Sequence, residues 1–519
     1  MLQKVQGKMK RERKSRAFNP RYESPFSKTL NPRNRWVILG KLIPWDSICS
    51  QCRRQLVNTG AGRPPLNPRI VIGSLIIKYM LNLDDRETVQ QITENMYMQY
   101  FLGYSSFIDE EPFDASLFVD FRKALGLETI NSINEKIVKL KTRLEGKDKV
   151  EGKETPPSNN SDSPKQDNGD EGKSQDAVPH KGRVIIDATA CPQDIAYPTD
   201  LNLLSDAREK AEELIDFIYN KSLHVEKPRT YRREARKYYL QTAQKKNKTV
   251  KTIRKAVGKQ LRYLKRDIGI VHHLLDSYER LPLDKHQRKY FYVIQTVYEQ
   301  QKEMYDNMVH TVAYRIVSIH QPHVRPIVRG KEQAKVEFGS KINVSVIDGI
   351  SFVDELSWEA FNEGSRLQAS VEQFHRRFGC YPREVLVDKI YCTRENRAWL
   401  KLKGILLRAK PLGRPSAVSI HVSPGERNPI EGKFGQGKTA YGLNRIKARL
   451  RETSESWIAG IFLVLNLVKL AGVALPCLIR KILQNLTASY QSLMWMMKSD
   501  YLTFCCPETC LVSQLNYRI

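Results

Sequence analysis

Two short apolar segments, each leading to an aspartate, limit most strongly what this chain can fold into. Residues 184–190 read VIIDATA and residues 384–391 read EVLVDKIY. Both are rich in β-branched residues, as buried strands are, and they end on Asp187 and Asp388. Parallel strands with crossover helices place ligands at the strand C-termini. The pattern therefore predicts that the two carboxylates meet at one edge of a sheet.

A third acidic residue stands in RNPIEGKFGQGK, residues 427–438. Asn428-Pro429 is a helix-start signal, and the helix would place Glu431 and Lys438 on one face because they are seven residues apart. Lys438 is then suited to grip a phosphate. The glycines of this segment disfavour a regular helix, so an irregular loop is the alternative.

These three motifs together resemble the DDE transposases of bacterial insertion sequences, specifically the insertion-sequence-five group. The aspartate of "IDAT" falls on Asp187, that of "DKIY" followed by "REN" falls on Asp388, and an Arg-x₃-Glu-x₆-Lys signature falls on Arg427, Glu431 and Lys438. The resemblance covers most of the chain. It implies that the two aspartates and Glu431 are catalytic and hold two Mg²⁺ ions, for which Mn²⁺ substitutes, while Arg427 and Lys438 contact DNA.

The resemblance also implies a reaction and its partners. A metal-dependent polynucleotidyl transferase of this kind binds the terminal inverted repeats of its element, cuts there, and lets the freed 3′-hydroxyl attack target DNA. A homo-oligomer assembled on double-stranded DNA is implied as well. Two alternatives stay open: a metal-dependent nuclease that only hydrolyses, because hydrolysis and transfer use the same carboxylates, and a catalytically decayed or regulatory DNA-binding protein.

Charge and hydropathy agree with a nucleic-acid partner. The chain carries 85 Lys and Arg against 57 Asp and Glu, a net charge of +28, which favours a polyanion. No apolar segment follows the basic opening residues, so we expect a cytoplasmic, nucleoid-associated protein with no membrane contact. The most apolar stretch, 457–472, is interrupted by Asn466 and Lys469 and predicts a buried core helix.

The order of predicted elements indicates a fold class and domain boundaries. We expect an α/β fold, a ribonuclease-H-like mixed sheet with a large helical insertion, plus an all-α N-terminal domain. Strands and helices of the catalytic domain follow the order β-β-β-α-β-α-β-α. The predicted divisions are a helical DNA-binding domain at 1–145, a disordered polar linker at 146–182, a catalytic domain at 183–490 and a C-terminal tail at 491–519.

The separation of the two aspartates exceeds what the sheet requires, and the excess predicts a helical insertion at about 203–318. Residues 227–266 contain 16 Lys and Arg and one acidic residue. An apolar stripe from Val250 to Ile268 recurs at helical spacing and leaves most cations on other faces. We expect phosphate contacts from four of them; a merely solvated face is the alternative. These four are Arg254, Lys255, Lys259 and Arg262.

Other carboxylates near the motifs, including Asp194 and Asp354, fit solvated loop positions equally well. The nine cysteines form no convincing metal or disulfide pattern, since Cys49-x-x-Cys52 has no second pair at zinc-finger distance. We expect reduced thiols.

Overall fold

The computed structural model describes residues 29–56, 66–136, 180–328, 336–409 and 425–472. The predicted C-terminal tail and nearly all of the predicted linker lie outside these residues.

Seven helices precede the first strand in the described residues. Sequence signals set several of their ends: Asn67 caps the third helix, its side chain accepting a hydrogen bond from the backbone N–H of Arg69 at 3.0 Å, and Pro68 follows at the first helical position. Asp84 and Glu87 form a capping box on the next helix. The helices are α1 (Arg35–Leu42), α2 (Trp45–Leu56), α3 (Pro68–Leu81), α4 (Asp85–Glu94), α5 (Met96–Leu102), α6 (Leu117–Ala124) and α7 (127–136).

A six-stranded mixed sheet forms the centre of the protein. The strands are β1 (Arg183–Pro192), β2 (Arg325–Val328), β3 (Val336–Ile347), β4 (Ile350–Ser357), β5 (Glu384–Leu386) and β6 (Leu406–Arg408). The spatial order is β2-β3-β1-β5-β6, and β4 pairs with β3. β1 runs antiparallel to β3 and parallel to β5. The class is therefore mixed α/β, as predicted.

β3 and β4 form a hairpin, which turns at Asp348 and Gly349, both with positive φ. β2 was absent from the predicted order because it is only four residues long and lacks a clear alternating pattern. Later helices alternate with the strands as expected: α12 (Leu367–Phe378), α13 (Arg394–Leu402), α14 (Asn428–Ala440) and α15 (Arg451–Gly472).

Each face of the sheet is covered by helices. Alternate residues of β1 point to opposite faces: Val184 and Ile186 pack with α12, whereas Ile185 joins the core that contains α15. β5 behaves alike, with Val385 and Val387 on one side and Leu386 on the other. The sheet is thus the middle layer of three.

The N-terminal helices and α15 share one hydrophobic core. The Tyr79 and Trp457 rings lie 5.5 Å apart, centroid to centroid. Asn466, which interrupts the apolar stretch, is fully buried: its Nδ2 donates to the Ser351 carbonyl at 2.7 Å and lies 3.3 Å from Oδ1 of Asn134. This polar residue links α15 to β4 and α7, which explains its place in a core helix.

α15 has the length and composition of a membrane span, but 72% of its most apolar window is buried inside the protein. This agrees with the predicted core helix.

The predicted insertion consists of four helices with a core of their own. They are α8 (Asp200–Ile218), α9 (Arg232–Ala243), α10 (Val250–Leu275) and α11 (Lys285–Asn307). Within the predicted stripe of α10, Val257, Leu261 and Leu264 are buried. The stripe is wrong at its start, because Val250 is 82% exposed and Ile253 is 40% exposed. The apolar residues of the first turn of α10 have helical spacing, but no described residue packs against them, so they stay exposed.

Candidate active site

Strand register places the two predicted aspartates side by side. Ile185 of β1 and Leu386 of β5 are partners in the parallel ladder. Asp187 and Asp388 each stand two residues further along, so both follow the last paired position and face the same side of the sheet. One detail of the prediction is wrong: Asp187 lies in the middle of β1, not at its end, because β1 continues against β3 for five more residues, to Pro192.

Arg427 joins the two carboxylates. Its Nη2 donates to Oδ2 of Asp187 at 2.8 Å, and its Nη1 lies 3.2 Å from Oδ1 of Asp388. The residue stands immediately before α14 as its N-cap, and its side chain makes no capping bond. Asp187 and Asp388, far apart in sequence, are therefore bridged by one guanidinium.

Asp187 is a partly shielded carboxylate, with 17% of its side chain exposed. Burial raises the pKa of Asp187 to about 6, against the lowering influence of the Arg427 charge and of the Ala188 N–H that donates to it. The charges of Glu363 and Asp388 raise this pKa further. Glu363 was missed from sequence; it begins a 3₁₀ turn and pairs with Lys341 of β3 at 2.9 Å.

A hydrogen-bond network fixes the turn that carries Asp388. The Tyr391 hydroxyl, fully buried, donates to Oδ1 of Asn343 at 3.0 Å. Nδ2 of Asn396 donates to the Tyr391 carbonyl at 2.9 Å and to the Gly364 carbonyl at 2.6 Å. Tyr391 and Asn396 belong to the "DKIY" and "REN" stretches, so the signal was present in the sequence without an assigned role.

Glu431 is carried by the same helix as Arg427 but is solvent-exposed. Among the described residues no group of three His, Cys, Asp or Glu side chains is close enough to hold a metal ion. The structure therefore gathers Asp187 and Asp388, and it leaves Glu431 one helical turn beyond Arg427. The role of Glu431 stays a prediction.

The glycine-rich segment is a regular helix, α14, as predicted, and not the irregular loop that was the alternative. It begins at Asn428, one residue earlier than the Asn-Pro signal indicated. Beside Gly432 and Gly435, no described residue outside the helix lies within 4 Å of where a Cβ would stand, so the described structure leaves this side of the helix open. Lys438 lies in the last turn of the helix and is half-buried.

The basic face of the insertion has the exposure that a phosphate contact needs. Arg254, Lys255 and Arg262 are exposed, and Lys259 is half-buried. No carboxylate of the described residues forms an ion pair with any of the four. The Arg254 guanidinium instead lies 4.2 Å from the Tyr305 ring centroid, and Lys259 Nζ lies 3.3 Å from that of Tyr238.

The two nearby carboxylates differ from each other. Asp194 is a surface residue, 38% exposed, that pairs with Arg445 at 2.9 Å. Asp354 is not solvated, contrary to expectation: it is 2% exposed and pairs with the buried Arg377 at 2.7 Å. Because Asp354 faces the core near α12, it belongs to the fold and not to the Asp187–Asp388 pair.

Comparison with known families agrees with this arrangement. A family described as "Transposase domain (DUF772)" matches residues 24–124, and one described as "Transposase DDE domain" matches residues 385–468. The second match contains Asp388, Arg427 and Glu431. The chain thus carries a transposase domain and a DDE transposase domain, which indicate a DNA transposase of insertion sequences, an enzyme of the polynucleotidyl transferase type.

A relative from Rhizobium meliloti, "Uncharacterized protein ORF8 in nfe locus", is 27% identical over 198 residues. That alignment covers 38% of this chain and 79% of the relative. No solved structure matches the chain.

Proposed function

We propose that this transposase binds the terminal inverted repeats of an insertion sequence of the insertion-sequence-five group and carries out metal-dependent cleavage followed by strand transfer. Asp187, Asp388 and Glu431 are its catalytic acids. The observation that carries the proposal is the placement of Asp187 and Asp388 at equivalent positions of adjacent parallel strands, with the Arg427 to Lys438 helix beside them. The strand order, with β1 between an antiparallel β3 and a parallel β5, supports a ribonuclease-H-like catalytic domain.

The donor set fits divalent metal. Asp187 and Asp388 present carboxylate oxygens, which Mg²⁺ and Mn²⁺ prefer as ligands. The Arg427 guanidinium lies between them, so the space between the two carboxylates accommodates a positive charge. Glu431 is the third acid, and its approach to the pair is part of the proposal. Two bound ions would activate a water or 3′-hydroxyl nucleophile and stabilise the leaving oxygen at phosphorus.

The chain's own residues position the DNA. Tyr391 and Asn396 hold the Asp388 turn against β3 and the 3₁₀ turn, so that its carboxylate keeps one orientation. Arg427 and Lys438 contact the reacting strand, and Arg254, Lys255, Lys259 and Arg262 contact flanking phosphates. These cations neutralise backbone charge without reading sequence, because phosphates are alike along a duplex.

The wider context is proposed on the same basis. Terminal repeats are read in part by the N-terminal helices, and a homo-oligomer holds the two element ends together with target DNA. The protein works in the cytoplasm, associated with the nucleoid.

The test is cleavage of DNA carrying the element ends by the purified chain in Mg²⁺. We expect wild-type protein to nick at the ends and join them to target DNA, and Asp187→Asn, Asp388→Asn and Glu431→Gln each to lower the rate by about a thousandfold or more while still binding DNA. Asp194→Asn is the matched control and should retain activity.

The open alternatives give different results in the same assay. Nicking without joined products would identify a hydrolysis-only nuclease. Specific binding without any cleavage would identify a decayed or regulatory protein. A wild-type rate in Asp388→Asn would show that the assigned acids are wrong.

A further inference from the structure

Arg427 occupies the space between the two aspartates that the proposed function reserves for metal. It donates to Asp187 at 2.8 Å and lies 3.2 Å from Asp388, and only 17% of its side chain is exposed. Its Nε has no hydrogen-bond partner among the described residues. The guanidinium thus acts as the counter-charge of both carboxylates, with one donor unused.

We propose that Arg427 serves two ligands in turn: the Asp187–Asp388 pair in the DNA-free protein, and a DNA phosphate once a duplex is bound. The exchange frees both carboxylates for divalent metal, so DNA and metal bind cooperatively. This inference rests on the proposed function. A planar guanidinium suits both partners, because carboxylate and phosphate each accept two parallel N–H bonds.

Electrostatics gives the exchange its direction. A metal ion and the guanidinium need the same carboxylate oxygens and carry like charge, so each weakens binding of the other. When Arg427 leaves, Asp187 and Asp388 lose the cation that they share. Glu363 lies close by, but its charge is balanced by Lys341, with which it pairs at 2.9 Å. The vacated site then carries the negative charge of the two aspartates, which attracts a divalent cation.

The surroundings of α14 permit the movement. Ile430 is fully buried and anchors the helix, whereas the sides at Gly432 and Gly435 are open. Glu431 follows Arg427 by four residues, about 6 Å along the helix. Because Arg427 precedes the helix as its N-cap, its side chain can withdraw while Ile430 stays in place, and the withdrawal leaves the exposed Glu431 a route toward the aspartates.

The experiment measures Mn²⁺ binding to the full chain by calorimetry, without any readout of catalysis. In the absence of DNA, Arg427→Gln should bind Mn²⁺ about tenfold more tightly than wild type, within the usual range of such coupling. Arg445→Gln is the matched control: it breaks the exposed Arg445–Asp194 pair, which is 2.9 Å long, and should leave Mn²⁺ affinity unchanged. A blunt duplex of mixed sequence should tighten wild-type binding by a similar factor and change that of Arg427→Gln little.

Linkage supplies a second measurement that needs no variant. If duplex strengthens Mn²⁺ binding, Mn²⁺ must strengthen duplex binding by the same factor. Equal Mn²⁺ affinity of wild type and Arg427→Gln, or duplex affinity that is independent of Mn²⁺, would overturn the exchange.

Failure of the exchange is distinguishable from failure of the proposed function. Asp187→Asn and Asp388→Asn should abolish Mn²⁺ binding in both backgrounds. If they abolish it while Arg427→Gln gives no gain, the exchange alone is wrong. If Mn²⁺ binding survives both substitutions, the ion lies elsewhere and the assigned metal site fails as well.

Discussion

The central sheet and the helical insertion differ in how far their charged side chains are buried and paired. In and around the sheet, the arginines are shielded and paired with acids: Arg427 with Asp187 and with the half-exposed Asp388, and Arg377 with the buried Asp354. On the outer face of α10, Arg254, Lys255 and Arg262 are exposed, and Arg254 and Lys259 lie on tyrosine rings rather than on acids.

The difference separates two uses of charge. A buried ion pair loses hydration, so it is kept in place only by exact geometry and further hydrogen bonds, and it fixes where side chains stand. An exposed, unpaired cation costs little and leaves its positive potential available to a polyanion. The sheet therefore holds the chemistry in position, and the insertion is suited to hold the substrate.

The largest effect is expected at the buried pair of the sheet. Asp354→Asn leaves Arg377 nearly without counter-charge in the core and should lower the free energy of unfolding by about 3 kcal/mol or more. Asp194→Asn breaks an exposed pair of similar length and should cost less than about 1 kcal/mol. Urea denaturation of both variants measures the contrast. Equal losses would mean that burial does not distinguish these pairs.

A smaller effect is expected from Asp267, a buried acid of the insertion. Asp267 is fully buried, neither carboxylate oxygen accepts a hydrogen bond from a described residue, and Arg266 Nη2 is 3.6 Å away. Arg208 and Glu212 of α8 also face it. Burial raises the pKa of Asp267 to about 7, so the folded protein keeps the proton over a range in which the unfolded chain has lost it.

Stability from Asp267 is therefore fully present below about pH 4 and is lost as the pH rises to about 7, by at most about 1.4 kcal/mol per pH unit. Asp267→Asn should flatten this part of the pH–stability curve. The comparison is the difference between variant and wild type in unfolding free energy at pH 5 and pH 8. A constant difference would show that Asp267 is ionised in the folded protein.

How far the sequence predicts this molecule depends on the kind of signal. Strand composition located β1 and β5, and the Asn428-Pro429 signal located the start of α14 to within one residue, because these are local properties. The Arg427 bridge and the Lys341–Glu363 pair were not predicted, since they depend on which residues long crossovers bring together. Asp354 was misjudged for the same reason: its burial comes from α12, which no local pattern near Asp354 reveals.

The insertion should show its weaker, additive effects in DNA binding. Replacing Arg254, Lys255, Lys259 and Arg262 by Gln should lower duplex affinity about tenfold or more and reduce the slope of log K against log salt by about 0.9 per lost contact, whatever the sequence. For a single-site comparison, Lys255→Gln should weaken binding, whereas Lys302→Gln should not, because Lys302 is already paired with Asp306. An unchanged salt slope would return the α10 face to a merely solvated role.

The smallest effect is expected from cutting the chain between the N-terminal helices and β1. The predicted linker, 146–182, is expected to be sensitive to proteases. If the N-terminal helices and the catalytic domain were independent, the two fragments would dissociate after cleavage. Yet α3 and α7 share a core with α15: Tyr79 packs on Trp457 and directly against Gly460, where a Cβ would lie 2.4 Å from the ring. After cleavage at a protease site introduced at 160, the fragments should therefore co-elute in gel filtration with little change in unfolding temperature. Gly460→Leu, which forces the Tyr79 ring away, should release the N-terminal fragment after the same cut. If the fragments separate even with the natural Gly460, the shared core contributes little, and the N-terminal helices form an independent DNA-binding domain.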